Sequence, residues 1–371
     1  MSDPASEQTG DGGAGTDTTA AGEPVRPPDA PEGSGGPEEP AGPASAPDDA
    51  HDPAPASARV EVPEAPQGFR AGFVCLVGRP NTGKSTLTNA LVGTKVAITS
   101  GRPQTTRHNV RGVVHREGAQ LVLVDTPGLH RPRTLLGRRL NDLVRETLAD
   151  VDVIAFCLPA NERIGPGDRY IARDLAGLRA PVVAVVTKTD TVSRQALAAQ
   201  LLAVDALGDW ADIVPVSAVR GEQVGVLTDV LVSHLPPSPP LYPTGEVTDE
   251  PVEVMVAELV REAALEGVRD ELPHSLAVVV DEIVDPRSAR ERGSRVKGSG
   301  NRLQVRVSLV VERDSQKAIV IGRGGARLKE VGVRARAGIE RLLGRRVYLD
   351  LHVRTARDWQ SDPRALARLG F

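Results

Sequence analysis

The sequence predicts two folded units: an α/β unit built on a mostly parallel sheet, then a smaller α+β unit. Three observations carry this. From Phe73 to Leu235, near-continuous Val/Leu/Ile strands alternate with helical patterns, as in a parallel sheet covered on both faces. A Pro-rich stretch, HLPPSPPLYPTG (234–245), then breaks the alternation. Beyond it the order changes to helix, two strands, a helix pair and a final strand. At 371 residues, and roughly 150 per domain, the chain has room for two or three units.

Taken in order, residues 1–68 form an acidic tail. Residues 1–60 hold 12 Asp/Glu against only Arg26 and Arg59, among dense Pro, Gly, Ala and Ser. Such a stretch cannot bury enough apolar surface to offset chain entropy, so disorder is expected. In the α/β unit, 69–235, strands are expected at 73–77, 108–116, 120–125, 152–158, 181–187 and 212–217. Helical patterns fall between them at 84–92, 137–149, 167–178, 193–207 and 222–234. Residues 236–250 read as a linker. The last unit, 251–371, opens with a helix at 251–270 and a strand at 275–284. An Arg/Gly/Ser-rich insertion (286–301) follows, then a strand at 302–312, helices within 315–343 and a strand at 346–353.

Composition removes several functions. Cys75 and Cys157 sit in apolar runs, and no CxxC or HExxH spacing occurs, which argues against a disulfide framework or a structural zinc site. The N-terminus has no apolar stretch of the secretory kind, and no run approaches a membrane span, so a cytoplasmic protein is expected. Residues 281–371 carry 21 Lys/Arg against 11 Asp/Glu, which points to a polyanionic partner there. With Phe 4, Trp 2 and Tyr 3 in the whole chain, nucleic-acid contact has to rest on the backbone rather than on an aromatic stacking sheet.

The chemistry begins at Gly78-Arg-Pro-Asn81-Thr82-Gly83-Lys84-Ser85-Thr86, a full G-x-x-x-x-G-K-S between a buried strand and a helix. Its glycines let backbone N–H groups curl around a phosphate at a helix N-terminus. Lys84 reaches the β- and γ-phosphates, and the Ser85 hydroxyl suits Mg²⁺. Asp125-Thr-Pro-Gly128 ends the next apolar strand, offering a carboxylate near the metal and a Gly128 N–H to the γ-phosphate. Thr187-Lys188-Thr-Asp190 follows another strand. A carboxylate there accepts both the N1–H and 2-amino protons of guanine, a donor pair that adenine lacks. Lys188 lies over the base, and Ser217-Ala218 offers a backbone N–H to O6. Together these select GTP and GDP. In Arg102-Pro-Gln-Thr105-Thr106-Arg107 a threonine, Thr106 in preference to Thr105, can complete the Mg²⁺ shell when the γ-phosphate is present; a plain polar loop is the alternative. Lys84, Thr106 and Gly128 are therefore the catalytic candidates.

A second motif lies in the basic unit: Ile321-Gly322-Arg323-Gly324-Gly325-Ala-Arg327-Leu-Lys329. A G-x-x-G between two helices, followed by basic residues, can clamp a single-stranded backbone, with Ile319, Ile321 and Leu328 as an apolar floor. Docking of this unit on a membrane or protein is the rival reading. The mixed charges of helix 251–270 suit packing on a sheet better than lipid. Outside the nucleotide site no arrangement of nucleophile and base suggests a metabolic enzyme.

Residues 70–371 resemble the Era family of bacterial GTPases, a Ras-like P-loop GTPase domain joined to a type II KH domain. The carrying stretches are GRPNTGKSTLTNAL, PQTTRH, VDTPGLH, SAVRG, ELPHSLAV, QKAIVIGRGGARLKEVGVRAR and ARDWQSDPRALARLGF. The resemblance implies GTP hydrolysis coupled to binding the 3′ end of 16S ribosomal RNA during assembly of the 30S subunit. It also implies a cytoplasmic protein, expected as a monomer, with peripheral association at the inner membrane face. Three features depart from the family: Thr187 replaces the usual asparagine, the 286–301 insertion is longer, and the acidic tail is extra. The Ala/Arg/Pro bias suggests a high-GC organism. The position after Gly128 is Leu129, which cannot orient a water as the glutamine of many GTPases does. In GTPases resembling this one, an asparagine such as Asn81 can help hold a K⁺ ion in place of an arginine finger; loop capping is the alternative role for Asn81.

Overall fold

The structure is a computed structural model that describes residues 68–99, 105–129, 132, 134–266, 275–286 and 302–369. Residues 1–67 of the acidic tail and nearly all of the 286–301 insertion lie outside these residues.

Six strands form the first sheet: β1 (Arg70–Val77), β2 (Val110–Arg116), β3 (Ala119–Asp125), β4 (Val153–Pro159), β5 (Val182–Thr187) and β6 (Asp212–Pro215), in the order β2-β3-β1-β4-β5-β6. Only the β2–β3 hairpin is antiparallel. Alternate residues of β1 feed opposite cores. Val74 and Leu76 pack with Leu87 and Leu91 of α1 (Lys84–Val92) and Leu227 and Leu231 of α5 (Val224–His234). Cys75 and Val77 pack with Val144 of α2 (Leu135–Asp150), Ile171 of α3 (Pro166–Leu175) and Val204 of α4 (Arg194–Asp205). Both faces being covered is why these strands read as unbroken apolar runs. Each fully buried aliphatic side chain stabilises the fold by about 1.5–3 kcal/mol.

The C-terminal unit carries α6 (Val252–Leu265), β7 (Ala277–Val284), β8 (Leu303–Val311), α7 (Asp314–Ile321), α8 (Ala326–Leu343), β9 (Val347–Thr355) and α9 (Pro363–Arg368). Its sheet runs β7-β8-β9, antiparallel then parallel. Val256 and Val260 of α6 and Val331 and Ile339 of α8 bury against Val307 and Leu309 of β8.

Three features differ from the sequence expectation. The strand expected from 108 starts at Val110, because Arg107 turns away into the C-terminal unit, where its guanidinium donates to the Leu276 carbonyl. The Pro-rich linker is a strap lying along β2. Leu241 and Tyr242 N–H donate to Gln120 Oε1 at 2.7 and 2.9 Å, and Val113 N–H donates to the Val247 carbonyl at 2.9 Å. β2 is the edge of its sheet, and the strap satisfies backbone groups that an edge leaves open. Finally, the C-terminal segment contains α9, too short to show an apolar period. With Trp359 it packs on Leu136 and Leu140 of α2 and on Ala277 and Val310.

Candidate nucleotide and nucleic-acid sites

The loop between β1 and α1 is built by its glycines. A side chain at Gly78 would meet the Cys157 carbonyl at 2.6 Å, and Gly83 holds φ at +96° at the start of α1. Among the described residues no side chain caps that helix, so its N–H groups face the loop. Asn81 sits at φ +64° and is exposed at the rim. Thr82 is buried, its hydroxyl donating to the Arg79 carbonyl at 3.1 Å. Lys84 is buried within the loop, with Nζ donating to the carbonyls of Gly78 and Arg79 at 3.2 and 3.1 Å. Burial lowers its pKa, against the attraction of Asp125. Gly128 approaches from β3 so closely that a Cβ there would lie 2.6 Å from Pro80 N. Beneath the loop, burial pushes the Cys157 thiol up to about 12, so it is no thiolate nucleophile.

Three oxygens converge beside this loop. Ser85 Oγ donates to Asp125 Oδ2 at 2.6 Å, Thr106 Oγ1 donates to the same oxygen at 3.3 Å, and the two hydroxyls are 3.0 Å apart. Asp125 is fully buried, and among the described residues its Oδ1 has no hydrogen-bond partner. Burial pushes its carboxyl up to about 6, opposed by the Lys84 ammonium and the two hydroxyls. A buried carboxylate with an open lone pair and two hydroxyls is a hard-oxygen set of the kind Mg²⁺ prefers. Thr86 follows at the helix start, half-buried, and with Asn81, Gly83, Lys84, Ser85, Thr105, Thr106 and Gly128 it lines one small cavity.

The remaining nucleotide candidates cluster at the carboxyl ends of β5 and β6, where ligands bind on open α/β sheets. Thr187 Oγ1 donates to the Thr82 carbonyl at 2.5 Å, tying β5 to the phosphate loop. Lys188 adopts φ +58°, and Ser217 Oγ donates to Asp190 Oδ1 at 2.7 Å, which aims the carboxylate. Ala218 follows Ser217, half-buried.

The glycine loop of the C-terminal unit stands apart. Gly322, Gly324 and Gly325 hold φ of +72°, +60° and +79°. A Cβ at Gly322 would collide with the Arg327 Cβ at 2.7 Å, whereas Gly324 and Gly325 face open space. Arg323, Gly324 and Lys329 are exposed, as is Ile319, and Ile321 is half-buried. Two expected members also make contacts inward. Arg327 donates to the carbonyls of Ala264 and Glu266, closing the C-terminal end of α6 instead of facing outward. Leu328 is half-buried and packs against the core of the unit.

Sequence reasoning missed Arg107, Glu258, Arg261 and Trp359. Arg107 and Arg261 are both buried between the two sheets' units, and Arg107 lies 5.7 Å from the centre of the Trp359 ring. Burial, reinforced by Arg261, pushes the Arg107 guanidinium down to about 9, with Glu258 opposing. The only sequence signal was an arginine on the apolar face of α6.

Comparison with known proteins finds a GTPase domain and a KH domain in the chain. Residues 73–188 match the family described as 50S ribosome-binding GTPase, and residues 271–360 match the KH domain. GTPase Era of Mycolicibacterium paratuberculosis is 66% identical over 306 residues, covering 82% of this chain and 99% of that protein. GTPase Era of Streptomyces coelicolor is 64% identical over 308 residues, covering 81% and 95%. Among solved structures, Era in complex with MgGDPNP and nucleotides 1506–1542 of 16S ribosomal RNA superposes with a TM-score of 0.75 at 36% identity, covering 81% of this chain and 99% of that one. An Aquifex aeolicus Era variant bound to GDP·AlF4⁻ gives 0.76 at 35% identity, with the same coverage.

Proposed function

This chain belongs to the Era family of GTPases and hydrolyses GTP, and from that premise we propose that it uses the nucleotide to control a single-stranded RNA clamp, acting on the 3′ end of 16S ribosomal RNA during 30S assembly. The observation that carries this is the convergence of Ser85, Thr106 and Asp125 beside the phosphate loop, in a chain whose other unit exposes a basic glycine loop.

The phosphates lie in the N–H cradle of Gly78–Thr86, with Lys84 on the β- and γ-oxygens. Ser85 and Thr106 are the residues that would hold Mg²⁺, with Asp125 beside them, and the ion would neutralise charge on those oxygens. Gly128 offers its N–H to the γ-phosphate, a contact that GDP cannot make. Asp190 reads guanine N1–H and the 2-amino group, Lys188 covers the base plane, and Ala218 addresses O6. We assign Asn81 a part in holding a K⁺ ion at the loop rim.

Arg323, Gly324, Gly325 and Lys329 meet the RNA backbone, Ile319 and Ile321 meet the bases, and Arg327 positions the loop from behind. The same reading makes the protein a cytoplasmic monomer whose membrane association is peripheral. Among the described residues no helix is long and apolar enough to cross a membrane.

The test is a gel shift with a single strand copying the 16S 3′ end and a duplex of equal length, each titrated with salt. The expected result is binding of the single strand, stronger with a GTP analogue than with GDP. Backbone contact makes affinity fall steeply as salt rises. Equal binding of strand and duplex in every nucleotide state overturns the reading.

A further inference from the structure

Thr106 stands between two residues held by the C-terminal unit. On one side, the Thr105 carbonyl accepts a hydrogen bond from Arg261 Nη2 on α6. On the other, Arg107 donates to the Leu276 carbonyl at 2.7 Å, under the Trp359 ring. Neither arginine is near the surface: Arg107 is 1% exposed and Arg261 2%. Arg261 is itself fixed by a forked pair with Glu258, at 2.8 and 2.5 Å, one turn earlier on the same helix. Glu262, the next residue, accepts from Thr99 N–H at 3.0 Å and pairs with Lys95. Helix α6 thus holds the chain before Thr106, and the Leu276 carbonyl, elsewhere in the C-terminal unit, holds it after.

A short polar loop samples many positions, and ordering one of its hydroxyls on a metal costs conformational entropy. A desolvated guanidinium, locked by its own carboxylate, removes that freedom before the nucleotide arrives. We propose that Arg261 is a positioning residue for GTP hydrolysis: by holding the Thr105 carbonyl it sets the Thr106 hydroxyl at the metal and γ-phosphate, so the C-terminal unit completes the hydrolytic site. This rests on the assignment of Thr106 to Mg²⁺. GDP has no γ-phosphate for the pre-set Thr106 segment to meet, so the consequence is selective for GTP.

The full chain is compared with Arg261→Met, Arg261→Lys and Thr106→Ala. Affinities for GDP and for a non-hydrolysable GTP analogue are measured across a Mg²⁺ titration, with kcat and KM for GTP. Met keeps the buried stem of Arg261 and removes its donors, and retained GDP affinity reports an intact nucleotide domain. In Arg261→Met, analogue affinity and kcat fall roughly tenfold, the effect of one charge-assisted hydrogen bond. The Mg²⁺ midpoint for the analogue rises, and GDP affinity stays within about twofold, well below that one-bond effect. Arg261→Lys, which keeps one donor, recovers part of the loss, and Thr106→Ala shows the same GTP-selective pattern. Two results overturn the proposal while leaving Thr106 in place: an Arg261→Met protein that matches the parent although Thr106→Ala is impaired, or equal losses for GDP and analogue. A loss in Arg261→Met with none in Thr106→Ala overturns the Thr106 assignment, and the proposal with it.

Discussion

Leu129 follows the glycine of the D-x-x-G motif, and its side chain is packed in the core beside Val144 and Ile171. It neither reaches the phosphates nor offers a hydrogen bond to a water. Something else has to balance the charge that develops between the β- and γ-phosphates. Asn81 is the polar side chain at the exposed rim of the phosphate loop, held at φ +64° where asparagine is among the residues that tolerate the conformation. With K⁺ at that rim, turnover is expected to be faster in KCl than in NaCl at equal ionic strength, and the difference is expected to vanish in Asn81→Ala. Phosphate release measured in both salts decides it. Equal rates in the parent protein would assign the missing charge to the RNA or the ribosomal particle. The residues of this site were legible in the sequence because each serves within a few positions of a strand end. Arg261 was not, because its partner, the Thr105 carbonyl, lies 156 positions away and is a backbone atom.

At the scale of the element, the glycine loop between α7 and α8 was readable for a similar reason: three positive φ values over four residues require glycine at those places. Its neighbours were less readable. Basic residues after a G-x-x-G look alike in sequence, yet Lys329 is exposed while Arg327 is spent on the carbonyls ending α6. The course of the strap is unreadable in the same way, since proline marks a break in regular structure without saying which edge the chain then follows. The loop itself offers a clean perturbation. Arg323→Asp with Gly324→Asp places two carboxylates where phosphates should lie. Aspartate tolerates the left-handed backbone at Gly324 and meets open space there, so the change alters charge more than fold. RNA affinity at physiological salt is expected to drop at least tenfold, roughly the loss of a single charge-assisted contact. Basal GTP hydrolysis should stay near that of the parent. A gel shift paired with a phosphate-release assay measures both, and unchanged RNA affinity removes the loop from the interface.

Across the whole molecule, the two units are joined by a small core drawn from α2 of the first and from β7, β8 and the C-terminal segment of the second. Leu136 and Leu140 of α2 pack with Trp359, Leu366, Ala277 and Val310, and Trp359 Nε1 donates to the Ser275 carbonyl at 3.1 Å. Trp359 is fully buried, and its ring faces the Arg107 guanidinium that leads into the threonine loop. Joined through such a core, residues 68–369 are expected to unfold as one cooperative unit. Trp359→Ala would remove the largest buried side chain at the junction and the ring beneath a buried charge. The loss of packing alone should cost about 3–5 kcal/mol. Because that cost falls mainly on the junction between the units, calorimetry should show the single transition resolving into two. The sharper change should be in coupling. With the ring gone, Arg107 loses the surface that holds it, so the Thr106 segment is released from one side and GTP-analogue affinity should fall while GDP affinity holds. A single transition at the parent temperature, with both affinities intact, would mean that the strap along β2 joins the units by itself and that the shared core is incidental.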